Sequence, residues 1–532
     1  MRHPEPGSEN ERGRFAELQQ RLGPLFRRVF ADRLAPRTVV VVPSLSLDAD
    51  IIAKIQGVAH YEERLLCLLL LLRMPYTRVV YATSVPIHAT IVDYYLHLLA
   101  GVPHSHARQR LTLVACGESS PAPLTEKILA NRSVLRRLRA AIGDPALAHL
   151  VCFNVTSLER TLSVRLGIPL YGCDPELGDL GSKSASRQIF RAAGVTTPDG
   201  FEGLRDRRDV AAALAALKRR QPSLGFAVVK LNDGFSGEGN ARFRFRPRDA
   251  DTDSEARIAR RLPNALLFEA TDLTWELYAD KLAQMGGIVE AFVTGDEVRS
   301  PSVQCRIDPR RLVEVVSTHE QVLGGRSGQV FVGCEFPADD RYRAELQHAG
   351  ERVAEVLRDR GVLGRFGVDF VVVGESGRWR PYAIEINLRK GGTTHPFLML
   401  DFLTDGTYDR ATGLYRTPAG QTRYYLATDN LHEQRYVGLS PDDLVEIAVE
   451  QELHFHAPSQ EGVVFHLIGA LERHGKLGMV CIGADRERAR RLYARTVEIL
   501  DQEGRGRALR ARARHRSPAP RSDRDSNPEP AD

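Results

Sequence analysis

Lysine is scarce in this chain, supplying only eight of its 73 basic residues (Lys54, Lys127, Lys183, Lys218, Lys230, Lys281, Lys390 and Lys476). Arginine is the default cation, so a lysine in a loaded position carries more information than usual. Cysteine is also sparse. The seven cysteines are odd in number and lack C-x-x-C spacing, which argues against a disulfide framework and for reduced thiols in the cytoplasm. Met1–Gln20 has no apolar core, so no signal peptide is expected. The longest leucine run, Leu65–Leu72, stops at Arg73 and is too short to cross a bilayer, so it reads as a core helix and no membrane partner is expected. The P-loop pattern G-x-x-x-x-G-K-[ST] is absent. Strong charge of one sign is missing as well: the formal charge is +5, and residues 504–532 hold eight Arg against four Asp or Glu. That leaves a nearly neutral body and no reason to expect nucleic acid.

What the chain has is length and alternation. Its 532 residues, 43% apolar, suit two or three domains with sizeable cores. Residues 36–175 alternate apolar strands (Val39–Val42, Val79–Ala82, Leu111–Ala115, Leu150–Phe153) with helical stretches, which predicts a doubly wound parallel α/β domain after an N-terminal extension, 1–35. Residues 176–405 read as α+β with antiparallel hairpins. Gly406–Gln421 reads as a polar connection, 422–503 as a small α+β module, and 504–532 as a disordered Arg-rich tail. His454, His456 and His466 could imitate a metal site, but no carboxylate or cysteine lies beside them, so a small packed domain is the better reading. Cys334 reads as buried and structural rather than nucleophilic, since no base neighbours it in sequence.

The densest chemistry lies in Gly364–Pro396, GRFGVDFVVVGESGRWRPYAIEINLRKGGTTHP. Two strands flank a Gly-Glu-Ser-Gly turn, so Glu385 and Asn387 share a face; a loop over Gly374–Arg378 sets Asp369 opposite Ala383 and adds it to that face. Three hard oxygen donors beside Arg389, Lys390 and two glycines suit Mg²⁺ and phosphate. A second loaded segment is KLNDGFSGEGN, where Lys230 ends an apolar strand ahead of Gly234, Gly237 and Gly239. Backbone N–H groups of such a loop can cradle phosphates, although a plain hairpin turn has the same look.

The order of these segments, after GSKSASRQIFRAAGV and around GGIVEAFVTGDEV, resembles the ATP-grasp superfamily over roughly Ser182–Pro396. That resemblance implies ATP held by Lys183, Lys230 and the Gly234–Gly239 loop, with Glu290 by the adenine and Glu297 on the ribose. It also implies magnesium on Asp369, Glu385 and Asn387. Whole phrases, STHEQVLGGRSGQVFVGCEFPA, EINLRKGGTTHPF and GVVFHLIGALERHGKLGMVCIG, are similar to the pheganomycin-type peptide ligases. Those imply an amino-acid or peptide carboxylate activated by ATP and joined to an amine through an acylphosphate. His319, Glu320, Gln321 and Arg326 are then the substrate-side candidates, and Arg389 or Arg365 the catalytic arginine, with Arg389 steadying the oxyanion. A metabolite kinase and a non-catalytic nucleotide-binding protein are the rivals; the oligomeric state, a homo-oligomer included, stays open.

Overall fold

The structure, a computed structural model, describes residues 4–47, 52–53, 55–234, 239–251, 254–270, 273–324 and 330–516. Four strands, β1 (Arg37–Val42), β2 (Thr77–Thr83), β3 (Leu111–Ala115) and β4 (Ala148–Cys152), form a parallel sheet in the order β3-β2-β1-β4. β1, β2 and β4 are buried along most of their length, with the edge strand β3 part-buried, which is why they read as continuous apolar runs rather than alternating ones. Between β3 and β4 the chain forms two helices, Leu124–Ala130 and Arg132–Ile142, because the Asn131 side chain accepts from Ser133 N and Val134 N and starts a new helix there.

The leucine run lies within Val58–Arg73, wound as a 3₁₀ helix, with Leu65–Leu72 facing the core except for part-buried Leu71. It packs on one side against Val39, Val79 and Tyr81 of the parallel sheet and on the other against Val463, Phe465 and Met479 near the C-terminus. One apolar cluster thus ties the first part of the chain to the last.

Five strands, β5 (Gly200–Leu204), β6 (Phe226–Leu231), β7 (Asn240–Arg244), β8 (Leu266–Phe268) and β9 (Gly287–Ala291), make an antiparallel sheet ordered β5-β9-β6-β7-β8. The largest sheet has eleven strands. Its path runs from β10 (Glu297–Arg299) through β14 (Gly364–Glu375), β11 (Pro301–Ile307), β12 (Val313–Gly324) and β13 (Val330–Phe336) to β18 (Thr422–His432); β15 (Arg378–Asn387) pairs with β14. Beyond β18 lie β17 (Leu414–Arg416) and β16 (Thr407–Asp409), while β20 (Lys476–Gly483) pairs with β18 and with β19 (Gly462–His466). One sequence expectation changes here, and one pairing adds to what was expected. The stretch read as a plain connection, Gly406–Gln421, contains the β16–β17 hairpin, and β18 joins β13, so residues 422–503 share a sheet with the segment before them. The polar loop composition of the first hid two three-residue strands, and strand pairing across a distance leaves no local mark.

Among the described residues no helix is long and apolar enough to cross a membrane. All seven cysteines are free, and Cys334 is buried with its thiol pushed up by desolvation, as expected of a structural residue.

Candidate active site

The site is assembled where the helix Lys183–Ala192 meets the ends of β6 and β15. Ser182 caps that helix through Ala185 N, so Lys183 occupies its first turn. Asn232, just past β6, fastens the same turn: its Oδ1 accepts from Ser184 N at 3.0 Å and Ser184 Oγ at 2.7 Å, and its backbone oxygen accepts from Lys183 N at 3.1 Å. From the other side Ser186 Oγ accepts from Ile386 N of β15 at 3.1 Å. Lys183 Nζ consequently lies 3.3 Å from Glu385 Oε2.

The β14–β15 hairpin departs from its expected register. Its turn is only Ser376-Gly377, both residues left-handed at φ 50° and 79°, not the five-residue loop Gly374–Arg378. A two-residue turn alone would set Asp369 opposite Ile384 and turn it away from Glu385. A bulge between Asp369 and Phe370 on one strand and Glu385 and Ala383 on the other takes up Ile384, so Asp369 stands directly opposite Glu385, and Gly367 opposite Asn387. The three residues do share a face, for a reason different from the expected one. Asn387 Nδ2 donates to Asp369 Oδ2 at 2.9 Å, and Gln321 Nε2 donates to Asp369 Oδ1 at 2.8 Å.

Electrostatics divides the two carboxyls. Burial, and then the charge of Glu385, push Asp369 up to about 7. Burial would raise Glu385 too, but Lys183 and Lys230, with Arg389, outweigh it and hold it below the usual carboxylate range. Both lysines therefore act on one carboxylate although 47 positions separate them. Glu385 keeps 31% of its side chain exposed, so this face is open to a ligand. Arg389 donates to Asn387 Oδ1 at 3.2 Å and feels both carboxylates; Arg365 instead interacts with Arg306, Tyr171 and Asp401. Of the two arginines, the geometry brings only Arg389 to the cluster.

The donor set fits magnesium: two carboxylates and an amide oxygen on one face, one carboxyl raised by burial and then by its neighbour's charge. No group of three or more His, Cys, Asp or Glu gathers among the described residues, and a magnesium site that keeps waters and phosphates needs none.

Other expected residues fall differently. Glu290 lies in mid-strand on β9, 2% exposed, with Lys230 Nζ at 2.8 Å and Arg187 Nη1 at 2.5 Å. Its carboxylate presents no free edge to an adenine; it holds Lys230 in place. Glu297 is half-buried on β10 and accepts from Arg299 Nε at 2.8 Å. His319 is wholly buried beside Phe336 and Tyr425, its Nε2 2.6 Å from Tyr425 Oη, and burial lowers its pKa to about 3. It lies in the sheet core rather than on a substrate surface. Glu320 accepts from Asp339 N and Tyr342 Oη and is likewise structural in its contacts. Gly234 and Gly239 close on each other, a Cβ on Gly234 falling 3.3 Å from Gly239 N; Gly237 and Arg326 lie outside the described residues. Sequence reading missed Asn232 and Arg187. The second had a signal, since Arg187 is four residues after Lys183 on one helix face.

Comparison with known proteins gives the chain relatives. Residues 260–411 match the family model described as IQCH-like, ATP-grasp, and residues 443–496 that of the PGM1 C-terminal domain. The chain is 31% identical over 472 residues to the L-propargylglycine–L-glutamate ligase of Streptantibioticus cattleyicolor, covering 87% of this chain and 91% of that protein. It is 22% identical over 518 residues to IQ motif-containing protein H of Danio rerio, covering 88% of this chain but only 49% of that protein, about half its length. Among solved structures, a biotin carboxylase–β,γ-ATP complex from Campylobacter jejuni aligns with TM-score 0.49 at 14% identity, covering 86% of this chain and 89% of the other. By its likeness to the Streptantibioticus enzyme, the chain belongs to the ATP-grasp superfamily, within the pheganomycin-type carboxylate–amine ligases, and is an ATP-dependent enzyme that forms carbon–nitrogen bonds.

Proposed function

We propose that the chain activates the carboxylate of an amino acid or peptide with ATP and joins it to an amine through an acylphosphate, releasing ADP and phosphate. The observation that carries this reading is the convergence of Lys183 and Lys230 on Glu385, directly opposite Asp369. Lys183 and Lys230 neutralise the phosphates. Asp369, Glu385 and Asn387 would hold magnesium, which when bound spreads the negative charge of the phosphates. In this reading Glu290 keeps Lys230 aimed, and Glu297 takes the ribose hydroxyls.

The substrate carboxylate oxygen attacks the γ-phosphorus, and the bond to the ADP oxygen breaks. The amine nitrogen then attacks the acyl carbon, the bond from that carbon to the phosphate oxygen breaks, and phosphate leaves with the amine's proton. Arg389 faces the oxyanion of that second step. The relative named for two amino acids supports amino-acid substrates, and the free thiols support a reducing, cytoplasmic setting. In domain terms this reading assigns 36–175 to a preceding α/β domain after an extension at 1–35, 176–405 to the ATP-grasp unit, 422–503 to a ligase-associated module and 504–532 to a tail.

The test is turnover with ATP, magnesium and pairs from an amino-acid and short-peptide panel, read by mass spectrometry. ADP, phosphate and an amide product are expected, with full rate requiring an amine. AMP with pyrophosphate would overturn the acylphosphate reading, and a stable phospho-product with no amine requirement would make the enzyme a kinase.

A further inference from the structure

Lys230 is needed as a cation, yet its nearest partner is an anion: Nζ lies 2.8 Å from Glu290 Oε2, and a lysine paired with one carboxylate carries no net charge. A neutral pair attracts phosphate weakly. Glu290 has a second cation at its other oxygen, because Arg187 Nη1 donates to Oε1 at 2.5 Å from the helix Lys183–Ala192. Arg187 has further partners. The same Nη1 donates to Pro198 O at 3.0 Å, while Nε donates to Glu202 Oε2 at 3.2 Å. Glu202 in turn accepts from Arg191 Nη2 at 2.6 Å, and the Arg191 side chain is 65% exposed.

Charges therefore alternate in a row from solvent to the site, in the order Arg191, Glu202, Arg187, Glu290, Lys230. Three cations against two carboxylates leave one positive charge over, and the row ends on Lys230. Lys183, Arg187 and Arg191 recur at every fourth position of one helix, so the face that brings the first lysine to Glu385 also brings Arg187 to the partner of the second. Water screens little of this. The Arg187 and Glu290 side chains are 4% and 2% exposed, and at that depth each charge acts on its neighbour far more strongly than at a surface. Lys230 does act beyond Glu290: burial pushes Glu385 up, and Lys183 and then Lys230 outweigh it and hold that carboxylate low. Without Arg187, Glu290 would rest on Lys230 alone and cancel the charge offered to a phosphate. A lysine in its place would serve less well, because an ammonium lacks the planar fork by which Arg187 meets two carboxylates at once.

We propose that Arg187 is a positioning residue that acts through Glu290: it neutralises that carboxylate, so that Lys230 is held in place and still keeps its charge for the phosphates of ATP. The proposal rests on the ligase reading above, in which Lys230 meets phosphate.

The full chain is titrated with ATP and magnesium, with no amino acid present, by isothermal calorimetry. Wild type is expected to bind; no binding of ATP by wild type would overturn the ligase reading and this proposal with it. Arg187→Gln should raise the Kd for ATP at least about tenfold, and Arg187→Lys, which keeps the charge, should recover part of that loss. The decisive comparison is made in Glu290→Gln, where the carboxylate to be neutralised is gone. In that background the addition of Arg187→Gln should change the Kd by less than about twofold, since a residue acting only through Glu290 has nothing left to act on. A packing role gives another result: loss of the contacts to Glu202 and Pro198 O would weaken ATP binding in both backgrounds alike. Unchanged affinity in Arg187→Gln, or an equal loss with and without the Glu290 charge, would overturn the assignment while the ligase reading stands. Because a buried substitution can unfold the chain, the same two comparisons are made with Arg187→Lys, whose smaller loss should also vanish in Glu290→Gln.

Discussion

Glu290 sits between Lys230 and Arg187 in a region where all three side chains are at most 10% exposed. Removing its charge takes the nearest counter-ion from Lys230 and one of two from Arg187, which keeps Glu202; breaking a buried group of this kind costs up to about 3–5 kcal/mol. Glu290→Gln should therefore lower the melting temperature clearly in calorimetry and also raise KM for ATP; a variant as stable as wild type would show that the pair is not coupled. Glu385→Gln and Asp369→Asn act elsewhere. They touch the opposed carboxylates that would carry the metal, so turnover should fall by at least about 100-fold, roughly 2.7 kcal/mol in the barrier, and more than in Glu290→Gln. Extra magnesium should restore either only in part. Near-normal rates for Asp369→Asn at ordinary magnesium would put the metal on other residues.

At the scale of elements, Asn232 joins the start of the helix Lys183–Ala192 to the end of β6, and so sets one lysine relative to the other. Asn232→Ala leaves Ser184 N and Met285 O without their side-chain partner, at a cost of about 1–3 kcal/mol. Both stability and ATP affinity should drop. Asn232→Asp, which keeps the acceptor for Ser184, should retain more of each; equal losses in the two variants would show that the acceptor is not what matters. The β14–β15 hairpin teaches a different lesson. Its alternation of Val, Phe and Ile made two strands legible, and Glu385 and Asn387 were bound to share a face. Turn length and the bulge at Ile384 were not legible, because a bulge depends on how the paired strand twists and on what packs across the sheet.

For the whole molecule, acid sensitivity follows from buried imidazoles. Desolvation lowers His149 and His319 to about 3 and His395 to about 4. A depressed histidine binds its proton in the unfolded chain first, so these groups are without effect above about pH 6.5 and subtract stability as pH falls from there toward 3 to 4. Glu62 has the opposite sign. Burial raises it to about 7 despite Ser84, so it stays protonated in the fold while the unfolded chain ionises, and it costs stability as pH rises from about 4.5 to 7. The melting temperature should fall steeply below pH 6 in a pH series, and His149→Phe should flatten that slope, because His149 Nδ1 has no partner among the described residues and the ring edge meets Phe26. A slope unchanged in the variant would refute the assignment.

Local chemistry by itself determined the strands of the first region, the lysines worth watching in an arginine-rich chain, and the carboxylate hairpin with Glu385 and Asn387 on one face. These are legible because each depends on residues close in sequence: side-chain alternation, a cap, a turn glycine. Tertiary structure alone decided that Glu290 holds Lys230, that His319 is core while Gln321 reaches Asp369, and that Arg389 rather than Arg365 joins the cluster. It also decided that Leu65–Leu72 cements the two ends of the chain. Each of these is a pairing across sheets or between regions. Such pairings are settled by burial and by which polar groups find partners once the chain is folded, and no local pattern records that.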